Sequence, residues 1–279
     1  MPKTAEDRFI TVNDLRLHYR QWGRAGQRPV ILLHACGCHA HWWDGIGPAL
    51  AAEYCVIAPD LRGHGDSERP EPPDYRFEAY VSDLAGLVKA LGLRDFLLVG
   101  HSMGGAVGLL YASTQPVGLV AAVGADMLCE MSGEVLDRLH QAGRRPQPIF
   151  PTREDAESRF RFEPPETSAL PEVLQNLARE AVCPMDEGNW TFKFDRRALK
   201  QPSFRVWDLL PDIKSPALIV HGELSPIMPA ANAERAAQGL PCGEWATIPG
   251  AYHNLMLDNP TGFIQLIQAF FAKVLAPKR

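Results

Sequence analysis

Phe96-Leu97-Leu98-Val99-Gly100-His101-Ser102-Met103-Gly104-Gly105 is the stretch from which the rest of the chain can be read. Its first six residues form a short apolar run of the kind that fills a buried strand. From residue 103 to 114 the residues are small and apolar, and Pro116 ends them. Between the two lies G-x-S-x-G in a strand-to-helix setting, the context that motif requires. A serine on so sharp a turn leaves no room for side chains two residues away, which Gly100 and Gly104 satisfy. The turn pushes the hydroxyl out at the carboxyl end of the sheet, where open α/β sheets place their sites. It also puts the Met103 amide at a helix N-terminus, aimed at a developing oxyanion. The plainer reading, a glycine-rich turn with an incidental serine, needs motif and setting to coincide by chance.

Working outward, residues 29–34, 54–60, 119–126 and 216–222 are further short apolar runs ending in Gly, His, Asp or Pro. Such runs suit strands buried on both faces of a parallel sheet. Phe9 to Val12 and Leu15 to Trp22 differ. The second alternates apolar and polar residues and predicts a half-solvated hairpin. Helical spacing marks 77–91 with Gly92 as a stop, 103–114, alanine-rich 230–238, and 261–275. Strands alternating with helices predict an α/β fold with a doubly wound, mostly parallel sheet. Residues 128–204 break the rhythm with more charge and proline, and carry helical pieces near 132–143, 153–160 and 170–181. They read as a mainly helical inserted cap, leaving 1–127 and 205–279 as one core. The alternating Trp190 to Asp195 predicts an extended piece that either folds one face over a pocket or packs the cap onto the core. Arg159-Phe160-Arg161-Phe162 reads as a solvated cap edge rather than an anion clamp.

Four motifs in order make the chain resemble the α/β-hydrolase family over nearly its whole length. His34-Ala35 with Gly37 is similar to the family's oxyanion loop, although glycine usually stands at Ala35. Residues 60–67, DLRGHGDS, resemble the DxRGxGxS loop; Gly100 to Gly105 is the elbow, and Gly250-Ala251-Tyr252-His253 the late histidine loop. The resemblance implies Ser102 as nucleophile, His253 as base, and the backbone amides of Met103 and Cys36 as oxyanion donors. A serine needs such a base, and the base needs a carboxylate to hold its tautomer. Here the chain departs from the family. The usual acid loop reads GELSPIMP, 222–229, with Ser225 at the aspartate's place. Asp126, at the end of the strand after the nucleophile helix, is the acid position in some relatives. Glu223 lies two residues before Ser225, on the same side of an extended segment. Asp126 is the expected acid and Glu223 the alternative. For the 60–67 loop a bracing role is expected, with Asp60, Arg62 and Asp66 holding neighbouring loops.

His34, Cys36, Cys38, His39 and His41 crowd together, but C-x-C lacks zinc spacing and no second ligand pair follows. No metal and no cofactor is expected. Composition narrows the partners. Thirty-three acids against 28 bases give a net charge of −5, without a basic stripe for nucleic acid or anionic lipid. Six cysteines are too few for a disulfide scaffold, and no apolar run is long enough to span a bilayer. A soluble, reduced, cytoplasmic protein without membrane insertion is expected, its oligomeric state left open. The function expected is a serine hydrolase cleaving a small or medium carboxylic ester, thioester or lactone, with a small-molecule acyl substrate as partner. Two alternatives stand: a non-catalytic ligand-binding homologue, suggested by the lost acid at Ser225, and a carbon–carbon bond hydrolase on the same fold.

Overall fold

The computed structural model describes residues 4–277. Its strands are β1 (Glu6–Val12), β2 (Leu15–Trp22), β3 (Arg28–Leu33), β4 (Tyr54–Pro59), β5 (Phe96–His101), β6 (Leu119–Ala125), β7 (Val182–Pro184), β8 (Trp190–Phe192), β9 (Ala217–Gly222) and β10 (Gly243–Ile248). Eight of them form one sheet in the order β1-β2-β4-β3-β5-β6-β9-β10. β1 and β2 run antiparallel, as do β2 and β4; every other pairing is parallel. β4, β5 and β9 are buried along their whole length, which explains their unbroken apolar sequence. β10 sits at the sheet edge with most positions at least partly exposed, so no apolar run announces it.

The helices are α1 (Gly47–Leu50), α2 (Phe77–Ala90), α3 (Met103–Ser113), α4 (Gly133–Gly143), α5 (Arg153–Ser158), α6 (Pro171–Glu180), α7 (Ala230–Gly239), α8 (Leu255–Asp258) and α9 (Pro260–Leu275). Alternate strand residues feed two separate cores, as period-two side chains must. Val30, Leu32, Val56, Val99 and Val220 meet Trp43 and the Phe263, Ile267 and Phe271 face of α9. Ile31, Leu33, Leu98 and Ile219 meet α2, α3 and α7 on the other face. Phe263, Ile267 and Phe271 are wholly buried, each stabilising by roughly 1.5–3 kcal/mol relative to exposure. Because β3 lies between β4 and β5, the chain changes direction across the sheet there. The loops after β3 and β5 therefore open into one crevice.

Between β6 and β9 lie α4, α5 and α6 and the small antiparallel hairpin β7–β8. Ser132 and Thr152 cap α4 and α5 with their hydroxyls. This region is tied to the sheet's loops at several points. Asp195 N donates to Gly63 O over 2.8 Å, Tyr75 Oη donates to the Asp195 carboxylate, and Trp42 meets Phe160 and Phe162 edge-on. No helix among the described residues is long and apolar enough to cross a membrane.

Candidate active site

Ser102 stands between β5 and α3 at φ 53°, ψ −118°, a conformation that side chains rarely adopt. Its amide is pinned by a 2.8 Å bond to Ala125 O at the end of β6. The two glycines are there for contact. A Cβ on Gly100 would meet Gly104 O at 2.2 Å, and one on Gly104 would meet Leu33 O at 2.5 Å and His34 O at 2.6 Å. Backbone cannot retreat as a side chain can. Gly104→Ala should therefore lower stability by about 1–3 kcal/mol, the usual cost of overpacking. Gly133→Ala, where nothing lies within 4 Å, should leave it unchanged or raise it. Urea midpoints of the two variants check this.

The loop after β3 faces this turn, with Gly37 at φ +74°. Neither the Cys36 nor the Met103 amide donates a hydrogen bond among the described residues, so both are available to an oxyanion. Burial pushes the Cys36 thiol up to about 12, which keeps it protonated and unreactive at neutral pH.

Asp126 is wholly buried just past β6, at φ 43°, a left-handed conformation that aspartate tolerates. Its Oδ2 lies 2.9 Å from His253 Nδ1. Ser225, read in the sequence as a lost acid, donates its hydroxyl to that same oxygen. The sequence reading missed this role, although a hydroxyl at the family's acid position is a signal for it. Glu223 is elsewhere: exposed, it accepts from the Gly250 amide over 2.8 Å and braces the histidine loop. His101 adds a second brace, its Nε2 donating to His253 O over 2.8 Å. Burial pushes the Asp126 carboxyl up to about 8, opposed by the Ser225 hydroxyl and the Gly222 backbone. Burial also pushes the His253 imidazole down to about 4. Both shifts favour the uncharged forms. Among the described residues no hydrogen bond joins Ser102 Oγ to His253.

Over the loop after β3 opens a cavity of about 650 Å³. Cys36, Gly37 and His39 form its floor, and Phe160, Phe192 and Phe194 stand among its walls. Ser102 and His253 do not line it; the loop carrying the Cys36 amide connects it to the elbow.

A family model described as alpha/beta hydrolase fold matches residues 28–260. This chain belongs to the alpha/beta hydrolase fold family. Within it, the chain is 26% identical over 274 residues to 2-(acetamidomethylene)succinate hydrolase of Mesorhizobium japonicum, covering 95% of this chain and 96% of that protein. It is 28% identical over 264 residues to 2-hydroxy-6-oxo-2,4-heptadienoate hydrolase of Pseudomonas putida, covering 88% and 89%. Among solved structures, E-2-(acetamidomethylene)succinate hydrolase superposes with a TM-score of 0.84 at 23% identity, covering 96% of this chain and 99% of that one, a likeness of fold.

In this alpha/beta hydrolase the 60–67 loop does bracing work. Asp60 accepts from the amides of Ala40 and Asp66 at 2.6 and 2.9 Å, and its Oδ2 lies 2.7 Å from His18 Nδ1. A Cβ on Gly65 would strike the Asp60 carboxyl at 2.1 Å. Arg62 grips Asp83 of α2 through two nitrogens at 2.6 and 2.7 Å, and Asp66 pairs with Lys193. The crowded histidines and cysteines after β3 are spent separately. His34 Nε2 accepts from the Leu61 amide, and His39 Nε2 donates to Leu177 O. The described residues whose atoms lie close enough to share an ion are His18, Asp60 and Asp66 instead, and these already hold one another and their neighbours.

Proposed function

We propose that the chain is a serine hydrolase acting on a carboxylic ester, thioester or lactone through an acyl-enzyme. The observation that carries this reading is the buried Asp126–His253 pair beside an elbow that strains and presents Ser102. Asp126 as carboxylate accepts from His253 Nδ1–H, which leaves the Nε2 lone pair free to take the Ser102 proton. Ser102 Oγ then attacks the acyl carbon. Its carbonyl oxygen gains charge and is held by the Met103 and Cys36 amides. His253 gives the proton to the leaving group, and a water, deprotonated the same way, releases the acid. The Ser102–His253 hydrogen bond forms with bound substrate, a tightening that resting sites often require. Residues 128–204 serve as the cap that closes the cavity from above, with 1–127 and 205–279 as the core. Six unpaired cysteines fit a reducing compartment, the cytoplasm.

The pH profile tests the pair. Its active form, carboxylate with neutral imidazole, carries one negative charge; adding a proton makes the pair neutral overall. Burial favours the neutral pair, so the proton is held to higher pH than a free carboxylate would hold it, and the pair titrates jointly. The acid limb of kcat/KM should lie well above the ordinary carboxylate range, towards the value of about 8 to which burial pushes Asp126, activity falling as pH drops through it. Ser225→Ala removes a donor to the carboxylate and should move that limb to higher pH. A wild-type limb below about 6 counts against the assignment. A panel of esters, thioesters and lactones then fixes the leaving group.

A second reading, hydrolysis of a carbon–carbon bond, has a specific support in the likeness to 2-hydroxy-6-oxo-2,4-heptadienoate hydrolase. It uses the same residues, with a carbanion as leaving group. Turnover of a vinylogous diketone at a kcat/KM above every ester in the panel would favour it.

A further inference from the structure

The cavity above the oxyanion loop is strongly basic, although the chain as a whole is acidic. Arg138, Arg159, Arg161, Lys193 and Arg196 line it, against the single acid Glu163. Three of these cations are partly engaged. Lys193 Nζ lies 2.8 Å from Asp66 Oδ2, Arg196 donates to Pro146 O over 3.3 Å, and Arg161 donates to Ser158 O over 2.9 Å. The side chains of Arg138, on α4, and Arg159, just past the end of α5, have no hydrogen-bond, ion-pair or ring partner among the described residues. Two uncommitted guanidinium groups thus reach one cavity from two different elements, and its floor carries the Cys36 amide. The 159–162 stretch therefore does not form a merely solvated edge. Its phenylalanines pack on Trp42, and its arginines stand on the cavity wall.

We infer that the substrate carries a carboxylate in addition to the bond that is cleaved, and that Arg138 and Arg159 receive it. The inference rests on the serine-hydrolase reading and narrows its substrate class. The planar guanidinium fork matches a carboxylate with two parallel hydrogen bonds, which a neutral chain end cannot accept. With Cys36 at the floor holding the reacting carbonyl, the cavity spaces the anion away from the scissile bond. An anion bound directly in the oxyanion hole would instead compete with the reacting oxygen. Both arginines are exposed, so the gain is screened by salt and appears mainly as affinity.

The test compares substrates of equal acyl length. The 4-nitrophenyl monoester of adipic acid carries the anion on the acyl side, 4-(hexanoyloxy)benzoate carries it on the leaving group, and 4-nitrophenyl hexanoate carries none. At low ionic strength at least one anionic ester should exceed the neutral one tenfold or more in kcat/KM, mostly through KM, and the advantage should shrink in 0.5 M salt (about one Debye length of 4 Å). Which one wins identifies the side on which the carboxylate sits. The double variant R138Q/R159Q should bring the ratio towards one, and R138K/R159K should keep a measurable part of it. Equal rates on all three esters, or a ratio unmoved in R138Q/R159Q, overturn the inference while leaving the hydrolase reading intact. A binding arm needs no turnover. Ser102→Ala protein should bind at least one of monomethyl adipate and 4-(hexanoyloxy)benzoate at least tenfold tighter than methyl hexanoate in calorimetry, and equal affinities for all three overturn the inference even if the esterase assay fails.

Discussion

Ser102→Ala is expected to lower ester turnover by on the order of 10⁴- to 10⁶-fold and to abolish covalent labelling by a fluorophosphonate. Members of such a unit are strongly interdependent, so losing the nucleophile removes nearly all that the base and acid supply. On the proposed mechanism, what remains comes from binding and from the Met103 and Cys36 amides, which the substitution leaves in place. The variant should fold. Alanine is smaller than serine, no hydrogen bond among the described residues depends on the Ser102 hydroxyl, and the strained φ of 53° stays pinned by the Ala125 carbonyl. Mass spectrometry of the labelled wild type should place the adduct on Ser102. A folded wild-type protein that takes no label sinks the enzyme reading and favours a non-catalytic binding protein.

Asp126→Asn is expected to lower kcat by about 10³–10⁴-fold with little change in stability. The amide keeps the size of the carboxyl and the tolerance for the left-handed φ of 43°. Its chemistry is wrong, however. An amide nitrogen facing His253 Nδ1 donates a hydrogen, which moves the ring proton to Nε2 and occupies the lone pair that must accept from serine. Glu223→Gln serves as the contrast. Glu223 holds the Gly250 amide at 2.8 Å, and the glutamine oxygen can accept that bond in its place. Its turnover should stay within about threefold of wild type. Orders-of-magnitude loss in Glu223→Gln alone overturns the choice of Asp126.

Several elements were legible because local physics dictates them. β4, β5 and β9 are buried on both faces, so continuous apolar sequence marks them. α2 and α9 carry the three-to-four spacing that one buried face demands. Other elements gave no such signal. β10 is an edge strand with alternating exposure, and GEWATI does not stand out. The hairpin β7–β8 is three residues per strand, too short for any period to show. The basic wall of the cavity assembles from three separate segments, each of which alone looks like solvated surface.

Sequence alone marked the serine elbow and its setting. Gly100, Ser102 and Gly104 lie within five residues, and a strand-to-helix turn that tight admits almost no other side chains. It also marked the sheet's inner strands and the late histidine loop. Only the tertiary structure decided which carboxylate meets that histidine. Asp126 and His253 stand 127 residues apart, and two carboxylates, one at a strand end and one in the next loop, satisfy the same local rules. Their difference is one of direction in space. Asp126, turned inward at a left-handed residue and supported by the Ser225 hydroxyl, meets the imidazole. Glu223, exposed in the loop after β9, meets the Gly250 backbone amide instead. No periodicity encodes that choice, because it depends on how β6, β9 and the histidine loop pack together.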